Sequence, residues 1–293
     1  MWYGYIPADV QTIELISAIQ VLIAVAVLIP ACVSDWRYRE VSNVNWIVLG
    51  VLGTVFCMYE AYIAGICWQY VMMVAGMLLI LTDICSERER SVAMSVIMYA
   101  AMLLMFSVPV ITMYDDALIR QFAIVPLSFV VFYVFYLTGM IGGGADVKCL
   151  ITMTMMFQTY PSFLVFPLIS IPAGYAELLI PFPFALLFHA ALFAMSVFVY
   201  IAWANHRNGD SLVSSTYRMD VDTARRSHVW VRQDVTGDVI VDTDQPNDPE
   251  DYRRMEVIDT SKVRVTPKIP FIIPISAAFL FIVTVGNLLF LPF

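Results

Sequence analysis

The sequence predicts an all-α polytopic membrane protein of about eight transmembrane helices, with a small β-rich insertion before the last helix. Three observations carry that prediction. Of the 293 residues, 60% are hydrophobic and only 14% are charged, against about a quarter charged in soluble domains. Several apolar runs reach the roughly 20 residues that a helix needs to cross a bilayer. One stretch, residues 205 to 268, breaks the pattern with twelve acidic and ten basic residues.

The elements follow in order. Ile13 to Val33 has no basic region before it and no small-residue cleavage site at its end, so it reads as a retained helix and not a signal peptide. Trp46 to Ile66, Val71 to Ile84, Ser91 to Met113 and Gln121 to Ile141 come next. The run containing Asp83 is short, which fits a tilted or re-entrant element. Cys149 to Ser170 contains Pro161 and is irregular; Leu178 to Ala204 and Ile269 to Leu291 complete the set. The expected organisation is a membrane-embedded domain over 1–204, a soluble insertion over 205–268 and a final helix over 269–293. Within the insertion, VWVRQDV, VIVDT and KVRV alternate with period two, and TGD separates the first pair. That pattern predicts a small antiparallel sheet with a Gly-containing hairpin. DTDQPNDPED reads as a loop, and no chemistry is legible in the insertion.

Lysine and arginine placement orients the chain. With the N-terminus outside, the inside connections 34–45, 85–90, 142–148 and 205–268 hold Arg37, Arg39, Arg88, Arg90, Lys148 and ten further basic residues. Only Arg120 of the sixteen falls outside, where Asp9, Asp115 and Asp116 lie. The expected location is a cell membrane. The net charge of -8 gives no nucleic-acid footprint. Cys32, Cys57, Cys67, Cys85 and Cys149 form no C-x-x-C pair and read as core residues or loose thiols. His189, His206 and His228 are too scattered to suggest a metal site.

Ionisable groups at membrane depth are costly and are functional candidates. Glu14 and Glu177 lie near expected outer ends, where solvation is easy. Glu60 and Asp83 are open to either a bonding or a functional role. Asp35 and Asp146 stand apart: 111 residues separate them, yet the topology puts both at the same inner boundary. SDWRYREVSN carries Asp35 to the end of the first helix, with Ser42 and Asn43 offering N-cap chemistry for the second. GGGADVK sets Asp146 behind Gly142, Gly143, Gly144 and Ala145, with Lys148 following. These glycines permit positive φ and the close approach of another backbone. Two carboxylates facing across a cavity can split water addition to a peptide carbonyl between a base and an acid. On spacing alone, a proton-relay pair or simple helix caps stand beside that reading. The helix dipoles favour Asp146 as base and Asp35 as proton carrier, unless Arg37 and Arg39 fold back onto Asp35.

G-G-A-D at Gly143 to Asp146 resembles the G-x-hydrophobe-D motif of membrane-embedded aspartyl proteases, the GxGD group. S-D-x-R-x-R-x-V-x-N at Ser34 to Asn43 is similar to the first-aspartate region of the prepilin peptidases in that group, and TPKIPFIIPI from Thr266 to their closing segment. Together they resemble the archaeal preflagellin and prepilin peptidases, type IV prepilin peptidase-like enzymes. The resemblance implies catalytic Asp35 and Asp146, with Gly142 to Ala145 and Lys148 in the active-site loop. It implies flagellin or pilin precursors as substrates, each with a basic leader before a hydrophobic helix, cut at the cytoplasmic membrane face among lipid. The chain lacks the paired C-x-x-C zinc motifs and any cofactor fingerprint for methylation, so no cofactor and no metal are expected. Eight spans also exceed the six associated with the archaeal preflagellin enzyme. A second GxGD class, the presenilin type, pairs Y-D with the motif; Tyr114-Asp115 supplies that dipeptide but on the opposite face. A proton-coupled transporter using Glu60, Asp83 and Asp146 is the alternative from another class, and discontinuous helices would favour it.

Overall fold

Ser42 ends the turn after the first helix in extended backbone, and its hydroxyl accepts the Val44 N–H at 3.3 Å. Ser91 and Asp116 start later helices in the same way, satisfying N–H groups that a helix leaves open at its start. The structure, a computed structural model, describes residues 10–86, 90–169, 180–212, 214–236, 239–247 and 262–290. Arg88 and Glu177 lie outside the described residues. The chain divides into two compact units, Met1–Ala191 with Pro270–Phe293, and Leu192–Ile269.

The described helices that precede the strands are α1 (Val10–Tyr38), α2 (Asn43–Ile63), α3 (Trp68–Cys85), α4 (Val92–Thr112), α5 (Ala117–Phe122), α6 (Ile124–Leu137), α7 (Gly144–Met156), α8 (Phe182–Ala194) and α9 (Ser196–Asn208), the last of them in the second unit. The last helix of the first unit is α11 (Ile272–Thr284). Among the described residues, six helical stretches are long and apolar enough to cross a membrane: Ile13–Tyr38, Asn43–Ile63, Trp68–Cys85, Val92–Thr112, Ala117–Leu137 and Phe182–Asn208. This is the build of a multi-pass membrane protein.

About eight spans were expected, with the third and sixth segments open, and among the described residues the count is lower. The element carrying Asp83 is long enough after all, at 18 residues. Two others are not: α7 and α11 have 13 residues each. At 1.5 Å per residue each rises about 20 Å, short of a hydrocarbon core of about 30 Å.

The early end of α7 has a local cause. A helix leaves its last carbonyls open, and inside a membrane no water replaces the lost bonds. Here buried side chains replace them. Gln20 of α1 donates Nε2 to the Met156 carbonyl at 3.0 Å, and the Cys57 thiol of α2 donates to the Met155 carbonyl at 3.7 Å. Gln158 folds back onto the same Met155 carbonyl. The chain then runs on without helix. Leu168 and Ile169 donate their N–H groups to the Thr284 and Val285 carbonyls, at 3.0 and 2.8 Å. Those carbonyls belong to the last turn of α11 and the residue after it, so both short helices are completed by irregular chain. Asn287 donates to the Tyr160 hydroxyl at 2.8 Å, and His189 accepts the Leu288 N–H at 3.2 Å.

Small residues let α2 lie close against α7, as is common between membrane helices. A Cβ on Gly53 would stand 2.7 Å from the Met155 carbonyl carbon and oxygen, where neither partner can yield without moving backbone. Gly53→Val is therefore expected to destabilise the protein by about 1–3 kcal/mol, the usual cost of overpacking. Thermal unfolding in detergent checks this; an unchanged midpoint would mean the two helices can separate freely.

In the second unit, Gly209 ends α9 with φ 71° and lets the chain turn back, with Asp210 N–H bonded to the Asn205 carbonyl at 2.9 Å. The strands β1 (Tyr217–Asp220), β2 (Val229–Thr236), β3 (Val239–Asn247) and β4 (Lys262–Pro267) form an antiparallel sheet in the order β1-β4-β2-β3. A short helix, α10 (Val221–Arg226), follows β1. Alternate residues Val229 and Val231, and Val263 and Val265, join Ile201, Tyr217, Val221 and Ala224 in a small core. The expected hairpin is present, with Thr236 opposite Val239, and its turn residues 237–238 lie outside the described residues. Part of the expected loop is strand instead: β3 extends through the DTDQPN residues to Asn247. The rest of that loop, 248–251, lies outside the described residues.

Candidate active site

Asp35 occupies the last turn of α1, where its side chain is buried. The first N–H of α11, that of Ile272, donates to Asp35 Oδ2 at 3.2 Å. One turn earlier on α1, the Cys32 thiol meets the Ser276 hydroxyl at 3.1 Å and the Ile272 carbonyl at 3.7 Å. The end of α1 is thus stitched to the start of α11 by its polar side chains.

Asp146 is the third residue of α7. It lies within electrostatic range of Asp35, and the buried Cys149 lies within range of both carboxylates and of Cys32. The two aspartates, far apart in sequence, therefore belong to one site at one end of the bundle. At 1.5 Å per residue, about 27 Å of α3 separates that end from the other. At the near end, Lys148 of α7 donates to Asn43 of α2 at 2.7 Å, and Asn43 donates to the Cys85 carbonyl of α3 at 3.4 Å. At the far end, the Tyr70 hydroxyl near the start of α3 donates to Asp116 at 3.0 Å. Tyr114-Asp115 precedes that bond directly, so the dipeptide lies at the opposite end from Asp146.

The glycines act differently from the sequence expectation. None of Gly142, Gly143 and Gly144 has a left-handed φ; that conformation falls at Gly139, with φ 73°. Gly142 is exposed with open space around it, and a Cβ on Gly144 would come no closer than 3.9 Å to the Tyr136 hydroxyl. Gly143 is the one whose missing side chain matters. A Cβ there would overlap Asp146 Oδ2, because the carboxyl group of Asp146 folds back over Gly143. The close approach is thus made by the aspartate itself and not by another backbone. Ala145 is half-buried at the edge of the apolar core. Lys148 does not serve Asp146 either: its ammonium is bonded to Asn43, tying α7 to the start of α2.

The other intramembrane carboxylates are engaged elsewhere. Asp83 pairs with Arg90 and accepts the Tyr99 hydroxyl at 3.3 Å. Glu60 accepts Gln121 at 3.3 Å. Glu14 is half-buried on α1. Among the described residues, no group of three or more His, Cys, Asp or Glu side chains converges to hold a metal ion. Sequence reasoning missed the Ile272 N–H, because nothing in a local pattern says which helix start will meet Asp35. It also missed the caps on α7, although a polar Gln20 amid an apolar run was a visible signal. No protein-family model matches the chain, and no curated protein matches it.

Proposed function

We propose that the chain is a membrane aspartyl endopeptidase of the prepilin and preflagellin peptidase kind. It would remove a short basic leader from archaeal flagellin or type IV pilin-like precursors at the cytoplasmic face of the cell membrane. The observation that carries the reading is the convergence of Asp35 and Asp146 from α1 and α7 within electrostatic range of each other. Two carboxyl groups in one site can divide the work of base and acid.

In the reaction, one carboxylate takes a proton from water as the water oxygen bonds to the scissile carbonyl carbon. The other carboxyl group gives its proton to the carbonyl oxygen. Collapse of the tetrahedral adduct breaks the C–N bond, and the amine leaves with a proton from the acid-base pair. The contacts of the two aspartates favour the opposite assignment of roles from the one expected. Asp35 accepts the Ile272 N–H at 3.2 Å, and the Arg39 guanidinium lies within electrostatic range of it. Asp146 accepts no hydrogen bond among the described residues. These contacts support Asp35 as base and Asp146 as acid.

A proton-coupled transporter is favoured by one feature, the interruption of α7 amid buried chain. Its open carbonyls, however, are taken by Gln20, Cys57 and Gln158. Asp83 and Glu60 are held by Arg90 and Gln121, which leaves no relay of free carboxylates leading to Asp146 among the described residues.

Incubating the detergent-solubilised chain with a precursor peptide tests the proposal. A single cut is expected at the junction of leader and apolar segment, in strong chelator and without S-adenosylmethionine. The new N-terminus should carry no added methyl group by mass spectrometry. Absence of cleavage would sink the endopeptidase, and loss on chelation restored by zinc would reveal a metal centre.

A further inference from the structure

Arg39 directly follows α1 and has φ 59°, in the left-handed region that residues other than glycine seldom enter. Backbone strain of this kind persists only where the surroundings impose it, and it clusters at functional sites. Here it directs the side chain inward. Nε and Nη1 of Arg39 are buried, and neither has a hydrogen-bond partner among the described residues. The guanidinium carbon lies 5.9 Å from the centre of the Trp36 ring. It is within electrostatic range of Asp35 but forms no ion pair with it among the described residues. Neighbouring acceptors are spent or turned away: the Glu40 carbonyl takes the Ser34 hydroxyl at 2.6 Å, and the Glu40 side chain is exposed.

Buried donors on a charged group are costly to leave open, and native chains leave few. The acceptor they call for is not among the described residues. An anionic acceptor, such as a lipid phosphate or a substrate carboxylate, would have to sit beside the Asp35 carboxylate and be repelled by it. A neutral peptide carbonyl meets no such repulsion, and an extended segment has carbonyls to spare along its edge.

We infer that Arg39 donates to a main-chain carbonyl oxygen of the substrate, seating an extended segment beside Asp35. This rests on the endopeptidase reading for the identity of the ligand. It adds a substrate-contacting residue one turn past Asp35, whose carbonyl accepts the Arg39 N–H at 3.1 Å.

The test measures binding of a labelled peptide, a basic leader followed by an apolar helix, to the full chain carrying Asp146→Asn to stop turnover. A series of such peptides has one thioamide in place of one backbone amide around the cleavage point. Arg39→Lys keeps the charge and loses the guanidinium donors, so it is expected to weaken binding about tenfold or more, the scale of a hydrogen bond to a charged group. At one position the thioamide should weaken binding to the Arg39 chain several-fold and leave the Arg39→Lys chain unaffected. Unchanged binding by Arg39→Lys, or weakening that is the same for every peptide, overturns the inference; the second result is what a merely structural arginine would give. Cleavage by the unsubstituted chain is scored separately. Thioamide coupling without cleavage would leave the contact standing and sink the endopeptidase. Cleavage without coupling would do the reverse, and a chain that neither binds nor cleaves would sink both.

Discussion

Asp35→Asn and Asp146→Asn should each slow precursor cleavage by on the order of a thousandfold or more, equivalent to about 4 kcal/mol of transition-state stabilisation. Each change removes one proton-transfer partner and leaves the shape of the side chain intact. An Asn at position 35 still offers an oxygen to the Ile272 N–H, so α1 and α11 stay joined and thermal unfolding should barely move. Alanine at the same position would orphan a buried donor and confuse the two effects. Because the carboxyl groups act as one unit, the double variant should be little worse than either single one. Asp83→Asn and Glu60→Gln serve as matched controls, since those carboxylates bond to Arg90 and Gln121 away from the pair. They should retain substantial activity. A well-folded Asp35 or Asp146 variant that cleaves at near the original rate would end the aspartyl-protease proposal.

Gly143→Ala should be the next most damaging change, at roughly a hundredfold in rate, the scale associated with misplacing a reacting group by about 1 Å. The new Cβ would occupy the space of Asp146 Oδ2, so the carboxyl group must swing away from its present position. The backbone raises no objection: Gly143 is the N-cap of α7 with φ -113° and ψ 126°, a conformation open to alanine. Stability should therefore fall by about 1 kcal/mol at most, the scale of cap substitutions. The diagnostic measurement is the same change in an Asp146→Asn background. If Gly143 acts through the carboxyl group, alanine should cost almost nothing further there. A full second hundredfold loss would mean that the glycine serves the substrate directly.

The parts of this site that were legible in the sequence are those a local pattern can encode. A carboxylate at the end of an apolar run, with arginines after it, marks Asp35; an aspartate behind three glycines marks Asp146. The alternation of apolar runs with basic loops put both on one side. Long-range bonds were not legible. The early end of α7 depends on Gln20 and Cys57, which lie 136 and 98 residues away from the carbonyls they cap. Hydropathy continues through Phe157 without a break, so the run reads as a span where the helix in fact stops. The strand YRMD was also invisible, because a short polar edge strand acquires its structure only from pairing with β4. Arg39 is a residue whose sequence neighbours suggest a headgroup-level cation; only its φ and its buried nitrogens reveal otherwise.

The interrupted α7 has a mechanical consequence. One end of α7 is tied to the same long helix through the Met156 carbonyl on Gln20, and the other sets Asp146 within electrostatic range of Asp35. α7 is thereby a gauge block laid between two levels of α1, the jaws at Gln20 and Asp35, and its residue count sets the depth of one carboxyl group against the other. Adding or removing a single residue within it would advance Asp146 by about 1.5 Å and turn it by about 100°. Just beyond Met156 the chain is no longer helical, so a length change there would not be transmitted as rotation. Variation in length can accumulate on that side of the joint, while the helix between the jaws must keep its register.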